Sequence, residues 1–225
     1  MPTVLIVGAS RGIGCELARQ YLLEDWKVHI TTRDAKTPDR LKEAGGDLTV
    51  HKLDVRNADQ IAGLAKWFSG KPIDVLIIAA GIFDRVGGVF SDGPMVPTDE
   101  VFAVNTEAPI NIAEALFPNM IAADLGRMVF ISSAEGIRAT GREQGPYGQS
   151  KAALNDEIQR FAADWYHNGV IGIAMHPGWV ATDMGGPRGP VTPQQSANGI
   201  REVVAGLQPD HCGTFLDFRG NFLPW

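Results

Sequence analysis

The chain has 225 residues, 44% of them hydrophobic and 20% charged, which suits one well-filled α/β domain spanning residues 1–225. Lysine and arginine number 20 against 26 acids, so the formal charge is −6, which argues against an extended nucleic-acid footprint. Cys15 and Cys212 lie far apart without metal-ligand spacing, and there is neither a basic leader nor a long uncharged apolar run, so a reducing cytoplasmic setting with no metal site and no membrane span is expected.

In chain order, Val4 to Val7 is a short continuous apolar run, the pattern of a strand buried on both faces. It runs directly into Gly8-Ala9-Ser10-Arg11-Gly12-Ile13-Gly14, and a helix follows with apolar positions at Ile13, Leu17, Tyr21 and Leu22. A glycine turn that opens a helix offers free N–H groups and the positive end of the helix dipole to a phosphate. Gly8 permits the tight turn, Gly12 a close backbone approach to the ligand, and Gly14 close helix packing. The position between first strand and first helix makes this a dinucleotide-binding loop, with Ser10, Arg11 and Ile13 among its contacts.

The second strand, Val28 to Thr32, ends where an acid usually reads the ribose 2′-hydroxyl of NAD. Thr32 occupies that slot and Arg33 follows. With Arg11 in the glycine turn, two forked guanidinium groups suit a 2′-phosphate, so NADP(H) is expected over NAD(H). Asp34 is the counter-evidence, because a shift of one residue in the strand end would make it the acid. A third run, Leu48 to Leu53, leads to Asp54-Val55, where the carboxylate can accept from the adenine amino group. A helix follows from Asn57 to Phe68. The fourth run, Val75 to Ile78, ends near Ala80-Gly81, a small pair past which a ribose can run close to the backbone.

Thr98 to Ala122 is a long helical segment containing Asn105 and, four residues later, Pro109. Proline has no N–H, so the Asn105 carbonyl loses its normal helical partner. A functional kink with a free carbonyl is expected there. The fifth run, Met128 to Ile131, ends at Ser132-Ser133. Pro146 then marks the first turn of a helix from Tyr147 to Tyr166, placing Tyr147 and Lys151 one turn apart on one face. A phenol titrates near pH 10 and must be pulled down about three units to exchange a proton near neutrality. A neighbouring ammonium does part of that, and Ser133 offers a hydroxyl to the substrate oxygen. The sixth run, Val170 to Met175, leads to His176-Pro177-Gly178-Trp179-Val180-Ala181-Thr182. Pro177, Gly178, Val180 and Thr182 are candidates to dock a nicotinamide, and His176 is read as structural. Residues 183–193, rich in Gly and Pro, form a short substrate flap.

Strands alternating with helices predict a doubly wound parallel β-sheet, Rossmann-like with about seven strands, flanked by helices on both faces. The set Gly8 to Gly14, Asp54, Ala80-Gly81, Asn105, Ser133, Tyr147, Lys151 and Pro177-Gly178 with Thr182 resembles the short-chain dehydrogenase/reductase family over essentially the whole chain. The C-terminal region, Phe215-Leu216-Asp217 to Leu223-Pro224-Trp225, looks most like its small C-factor and sniffer carbonyl-reductase branch. The resemblance implies that Tyr147 is the general acid/base and that Lys151 binds the nicotinamide ribose and lowers the tyrosine pKa. It further implies that Ser133 orients the carbonyl and Asn105 completes a proton relay through water. The family's Asn-Asn-Ala-Gly is here Ile78-Ala79-Ala80-Gly81, which removes bracing side chains and keeps the Ala-Gly pair.

The expected activity is reduction of a small aldehyde or ketone, or its reverse. The rivals are an NAD-dependent alcohol dehydrogenase and a dinucleotide-binding signalling or redox-sensing protein with little turnover. Trp179, Met184, Ile137 and Phe83 are candidate apolar walls, with Arg138, Arg142 and Glu143 near the mouth. Apolar residues on more than one side of the helices starting near Thr98 and Tyr147 (Val101, Phe102, Ile110, Leu116, Leu154, Ile158, Phe161 and Trp165) suggest a homodimer.

Overall fold

The run Val4-Leu5-Ile6-Val7 has no polar side chain to place and is wholly inaccessible to solvent. A strand of this kind needs a neighbour on each edge and a helix layer on each face. A computed structural model of the chain, describing residues 1–225, provides both. Seven strands form one sheet in the order β3-β2-β1-β4-β5-β6-β7, every ladder parallel. They are β1 (Thr3–Val7), β2 (Lys27–Thr32), β3 (Asp47–Lys52), β4 (Val75–Ile78), β5 (Gly126–Ile131), β6 (Val170–His176) and β7 (Phe215–Asp217).

Side chains along a strand alternate between faces, and the core divides accordingly. Val4, Ile6, Val28, Ile30, Val129 and Ile173 pack beneath α1 (Gly12–Leu22) and a C-terminal helix, Pro193–Ala205. Leu5, Val7, Leu76, Met128 and Phe130 pack beneath α3 (Ala58–Phe68), Ala108–Ile121 and Gly145–His167. A short helix, α2 (Asp39–Lys42), buries Leu41 beside α1. The remaining helices are α4 (Thr98–Phe102), α5 (Ala108–Ile121), α6 (Gly145–His167) and α7 (Pro193–Ala205). Asn57 caps α3 by accepting from Gln60 N–H, and Thr192 opens α7 with a reciprocal box to Gln195. No helix is long and apolar enough to cross a membrane.

One expectation changes. The segment from Thr98 is interrupted by a π-helical turn at Ala103–Glu107, in which Ala108 N–H donates to Ala103 O. Pro109 cannot donate, so the chain widens there. Of the apolar residues that suggested a dimer, Val101, Ile110, Leu116, Leu154, Ile158 and Trp165 are buried inside one copy, and Phe102 and Phe161 are partly exposed. The exposed residues of those helices include Glu107, Asn111, Glu114, Asp156 and Arg160.

At the β2–β3 edge, His29 is buried to 1% exposure, with Nδ1 3.1 Å from His51 Nε2 and both rings against Trp67 and Phe68. Burial lowers the His29 pKa to about 4, with His51 and Lys27 adding to the shift, and burial also lowers that of His51. An unfolded histidine titrates near 6.5. Between about pH 6.5 and 4 the unfolded chain therefore binds protons that the folded chain refuses. Stability from this pair is complete above the upper limit and declines as pH falls through the window. Urea unfolding midpoints should drop between pH 7 and 5, and His29→Gln should flatten that drop even if it lowers the midpoint throughout. An unchanged pH slope in the variant would place the acid sensitivity elsewhere.

Candidate active site

The strand order reverses between β1 and β4, so a crevice opens above their carboxyl ends. Its floor is backbone. A Cβ on Gly8 (φ +87°) would lie 2.6 Å from the Ala80 N and Cα, and one on Gly14 would lie 2.4 Å from Gly8 O. On the far side of the seam, a Cβ on Gly81 would meet Asn105 Oδ1 at 3.3 Å and Lys151 Nζ at 3.6 Å. The glycine loop and the Asn105–Lys151 pair therefore face one strip of main chain.

Four predicted residues converge beyond that strip. Asn105 is fully buried; its Oδ1 accepts from Ile82 N–H at 2.9 Å, and its Nδ2 donates to Ile82 O at 2.9 Å and to Ser150 Oγ at 3.0 Å. Ser150 Oγ in turn donates to Tyr147 O at 2.7 Å. Ser132 is turned away, donating to Asn155 Oδ1 at 2.6 Å. Ser133 Oγ accepts from Glu135 N–H at 3.2 Å, and its hydroxyl beside Tyr147 favours the phenolate. Lys151 is 4% exposed and donates from Nζ to Ile131 O at 2.8 Å.

The electrostatics depart from expectation. Lys151 Nζ stands 6.0 Å from the Tyr147 ring centroid and is turned toward the Ile131 carbonyl. Burial outweighs any pull it exerts: the Tyr147 phenol is pushed up to about 12 by desolvation, with Glu135 and Asp84 adding to the rise and Ser133 opposing it. Burial alone lowers Lys151 to about 8. Near neutrality the site holds a neutral phenol and an ammonium.

The cradle at α1 fits a dinucleotide. Arg11 precedes the helix without capping it by its side chain, and no acid lies in the first turn, so the N-terminal N–H groups remain available to an anion. A Cβ on Gly12 (φ +59°) would approach only the Thr182 side chain, at 3.6 Å. Ser10 is exposed at the loop, and Ile13 packs beneath it against the core. Arg11 NH1 bonds Asp183 Oδ2 at 3.0 Å, linking the loop to the segment after β6. At the end of β2, Thr32 is buried and Arg33 is exposed. Asp34 is folded onto its own turn, accepting from Lys36 N–H at 3.2 Å. Asp54 is held by Arg56 through Nε at 3.2 Å and NH2 at 3.1 Å, and Val55 packs on the core.

After β6, His176 Nδ1 accepts from Ala134 N–H at 3.2 Å, which fixes the turn carrying Ser133. Pro177 O accepts from Ser196 Oγ at 2.7 Å, Gly178 has φ +84°, and Val180 is buried beneath a bridge to Val191. Thr182 Oγ1 accepts from Gly185 N–H at 3.2 Å.

Sequence reasoning missed residues 84–96. This loop meets the segment after Thr182: Val89 N–H donates to Met184 O at 3.0 Å, and the Phe90 and Trp179 ring centroids are 6.2 Å apart. Between them lies a cavity of ≈ 610 Å³ lined by Phe90, Thr182, Asp183 and Gly186, among others. Phe83 stacks obliquely on Tyr147 with centroids 4.9 Å apart, as a wall residue should. Ile137 is no wall, since it is buried in the core, and Arg138 is paired with Asp156 at 2.6 Å.

Comparisons with known proteins agree with this geometry. A family model described as short chain dehydrogenase matches residues 2–191. C-signal of Myxococcus xanthus is 33% identical over 156 residues, covering 68% of this chain and 93% of that protein. The NADPH-bound carbonyl reductase from chicken fatty liver superposes with a TM-score of 0.84 at 29% identity, over 100% of this chain and 99% of that one. The carbonyl reductase Sniffer of D. melanogaster superposes with a TM-score of 0.86 at 26% identity, over the whole of both chains.

The seam at Gly8 is directly testable. Gly8→Ala combines a left-handed backbone with a Cβ overlapping Ala80, and should cost more than about 3 kcal/mol of stability. Denaturant titration of that variant checks the figure, and wild-type stability would contradict the packing.

Proposed function

The chain belongs to the short-chain dehydrogenase/reductase family and is an oxidoreductase, and we propose that it is an NADP(H)-dependent carbonyl reductase in which Tyr147 delivers the proton. The reading is carried by Asn105 and Lys151 bordering the backbone strip that floors the dinucleotide cradle, with Tyr147 beside Lys151 and burial favouring its protonated form. When bound, a reduced nicotinamide dinucleotide supplies a hydride equivalent. Ser133 and Tyr147 hold the carbonyl oxygen of the substrate. Tyr147 gives its proton to that oxygen as negative charge develops on it, which is general acid catalysis by a group already in its acid form. Lys151, near 8, is the second acid of the site and restores the phenol proton through water at the Asn105 main-chain carbonyl. The Asn105 side chain is held by Ile82 and Ser150 through its oxygen and both of its N–H groups, so we assign the relay water to the main-chain carbonyl.

Arg33 supports a 2′-phosphate preference. It is exposed, and the neighbouring Asp34, which would otherwise read a 2′-hydroxyl, is engaged with Lys36. Residues 183–193 serve as the flap over a carbonyl substrate of modest size, within one domain of residues 1–225. A second reading, a dinucleotide-binding signal or sensor with little turnover, is favoured only by the likeness to C-signal. Mere cofactor binding gives no reason for the Ser133–Tyr147 pairing.

A carbonyl panel with NADPH and NADH, followed at the nicotinamide absorbance, tests the reading. Tyr147→Phe should lower kcat by at least about 100-fold with cofactor affinity retained, and survival of full activity would refute the mechanism. Arg33→Ala should raise the Kd for NADPH more than that for NADH. Because both acids must be protonated, the reduction rate should be high below about pH 8 and fall above it; a rate that climbs through that range would reverse the assignment.

A further inference from the structure

Tyr147 lies in the first turn of α6, and that turn lacks a local cap. Gln144, the residue before the helix, gives no side-chain hydrogen bond, and no acid lies within the first turn. The first N–H groups of a helix have no partner inside it and must find acceptors elsewhere. One comes from a distant part of the chain: Asp84 Oδ2 accepts from Tyr147 N–H at 3.4 Å across 63 residues of sequence. Gly145 makes room for it, since a Cβ there would stand 3.1 Å from the same oxygen. Asp84 is itself fixed, its carbonyl accepting from Val96 N–H at 2.9 Å. The preceding residue, Phe83, packs its ring on the Tyr147 ring. Residues 83 and 84 thus hold Tyr147 at two points, ring and main chain.

The charge of Asp84 acts as well. A carboxylate at a helix N-terminus is favourable, whereas near a phenol it opposes the phenolate. The other groups facing Tyr147 are Glu135, from the turn after β5, which acts in the same direction, and Ser133, which opposes it. Lys151, one turn along α6, keeps its Nζ on Ile131 O.

We infer that Asp84 is a positioning residue for Tyr147, capping the first turn of α6 through the Tyr147 N–H and, by its charge, keeping the phenol in its proton-donating form. The inference rests on the reading of Tyr147 as the acid.

Asp84→Asn keeps an acceptor in place and removes the charge, while Asp84→Ala removes both. The direct readout is the ultraviolet titration of the Tyr147 phenol, with the matching Tyr147→Phe protein subtracted to cancel Tyr21 and Tyr166. Asp84→Asn should move that titration to lower pH by about half a unit or more, with circular dichroism unchanged. In turnover, the fall above about pH 8, which Lys151 sets, should stay where it is, and the KM for NADPH should be unchanged. Asp84→Ala should in addition lower kcat by about 10-fold through loss of orientation. If Asp84→Asn titrates at the wild-type pH, the inference is overturned. Absence of carbonyl turnover in the wild type would count against the proposed reaction alone, and the phenol titration would still decide the role of Asp84.

Discussion

At the carboxyl ends of β1 and β4, the backbones of Gly8 and Ala80 meet with no space for a side chain between them. From β1 the chain builds outward through β2 to β3, and on the other side the sheet grows from β4 to β7. The crevice above this switch point therefore has a floor of bare peptide. Gly14 repeats the constraint one turn later against Gly8 O, which pins the start of α1 directly over the strand end. Gly81 carries the strip on toward Asn105 and Lys151. The phosphate end and the proton-transfer end of the site are thus two stations along one rigid seam. Rigid elements hold side chains more precisely than free loops do, and Asn105 and Lys151 both border this seam.

Burial then divides the proton chemistry in a definite sense. Removing water weakens an amine as a base and a phenol as an acid, because each loses solvation of its charged form. Lys151 falls to about 8 and Tyr147 rises to about 12, so each departs from its ordinary value toward its uncharged form. Both still carry a proton at neutrality, and the one formal charge among them, the ammonium, has the Ile131 carbonyl as its partner. A site in this state is poised to give protons to an oxygen that is becoming negative. Running the reaction toward the carbonyl needs the phenolate, which burial disfavours and which Glu135 and Asp84 disfavour further. A positive charge beyond Lys151 would have to supply the difference.

What the sequence discloses is what is local. The apolar runs mark the central strands because a doubly covered parallel strand has no polar face to disguise it, whereas the edge strand β3 has no buried residue and is marked only by Leu48 and Val50. The seventh, Phe215–Asp217, is only three residues long and leaves almost no pattern. The glycine loop and the Tyr147–Lys151 spacing are legible because each is a short-range geometry. The Asp84–Tyr147 contact joins residues 63 apart and the Arg11–Asp183 pair residues 172 apart, and neither position has a neighbour in sequence that hints at it. The sense of the Tyr147 shift is hidden for a related reason. Proximity of a lysine is visible in the sequence, but the depth of burial that outweighs it and the direction of its Nζ are products of packing. Helix α7 is a different kind of miss: Thr192-Pro193-Gln194-Gln195 is a readable start signal, followed by too few apolar positions to draw notice.

The departure at Ile78 shows how the seam tolerates losing a polar brace. The family resemblance implies an asparagine where Ile78 stands, and the isoleucine is 2% exposed within the apolar cluster shared by β4, α5 and α6. A buried amide in that setting would need several partners to offset its desolvation, and an isoleucine needs none. Asn105 braces the same region, crossing from the π turn to grip both the N–H and the carbonyl of Ile82 and then reaching Ser150 on α6. Thr106 adds a second tie, donating to Ser150 O at 2.8 Å. The widened turn at Ala103–Glu107 delivers two adjacent side chains to the helix that carries Tyr147. Sheet, π turn and tyrosine helix become one hydrogen-bonded unit, which ties the end of β4 to the helix that carries the phenol.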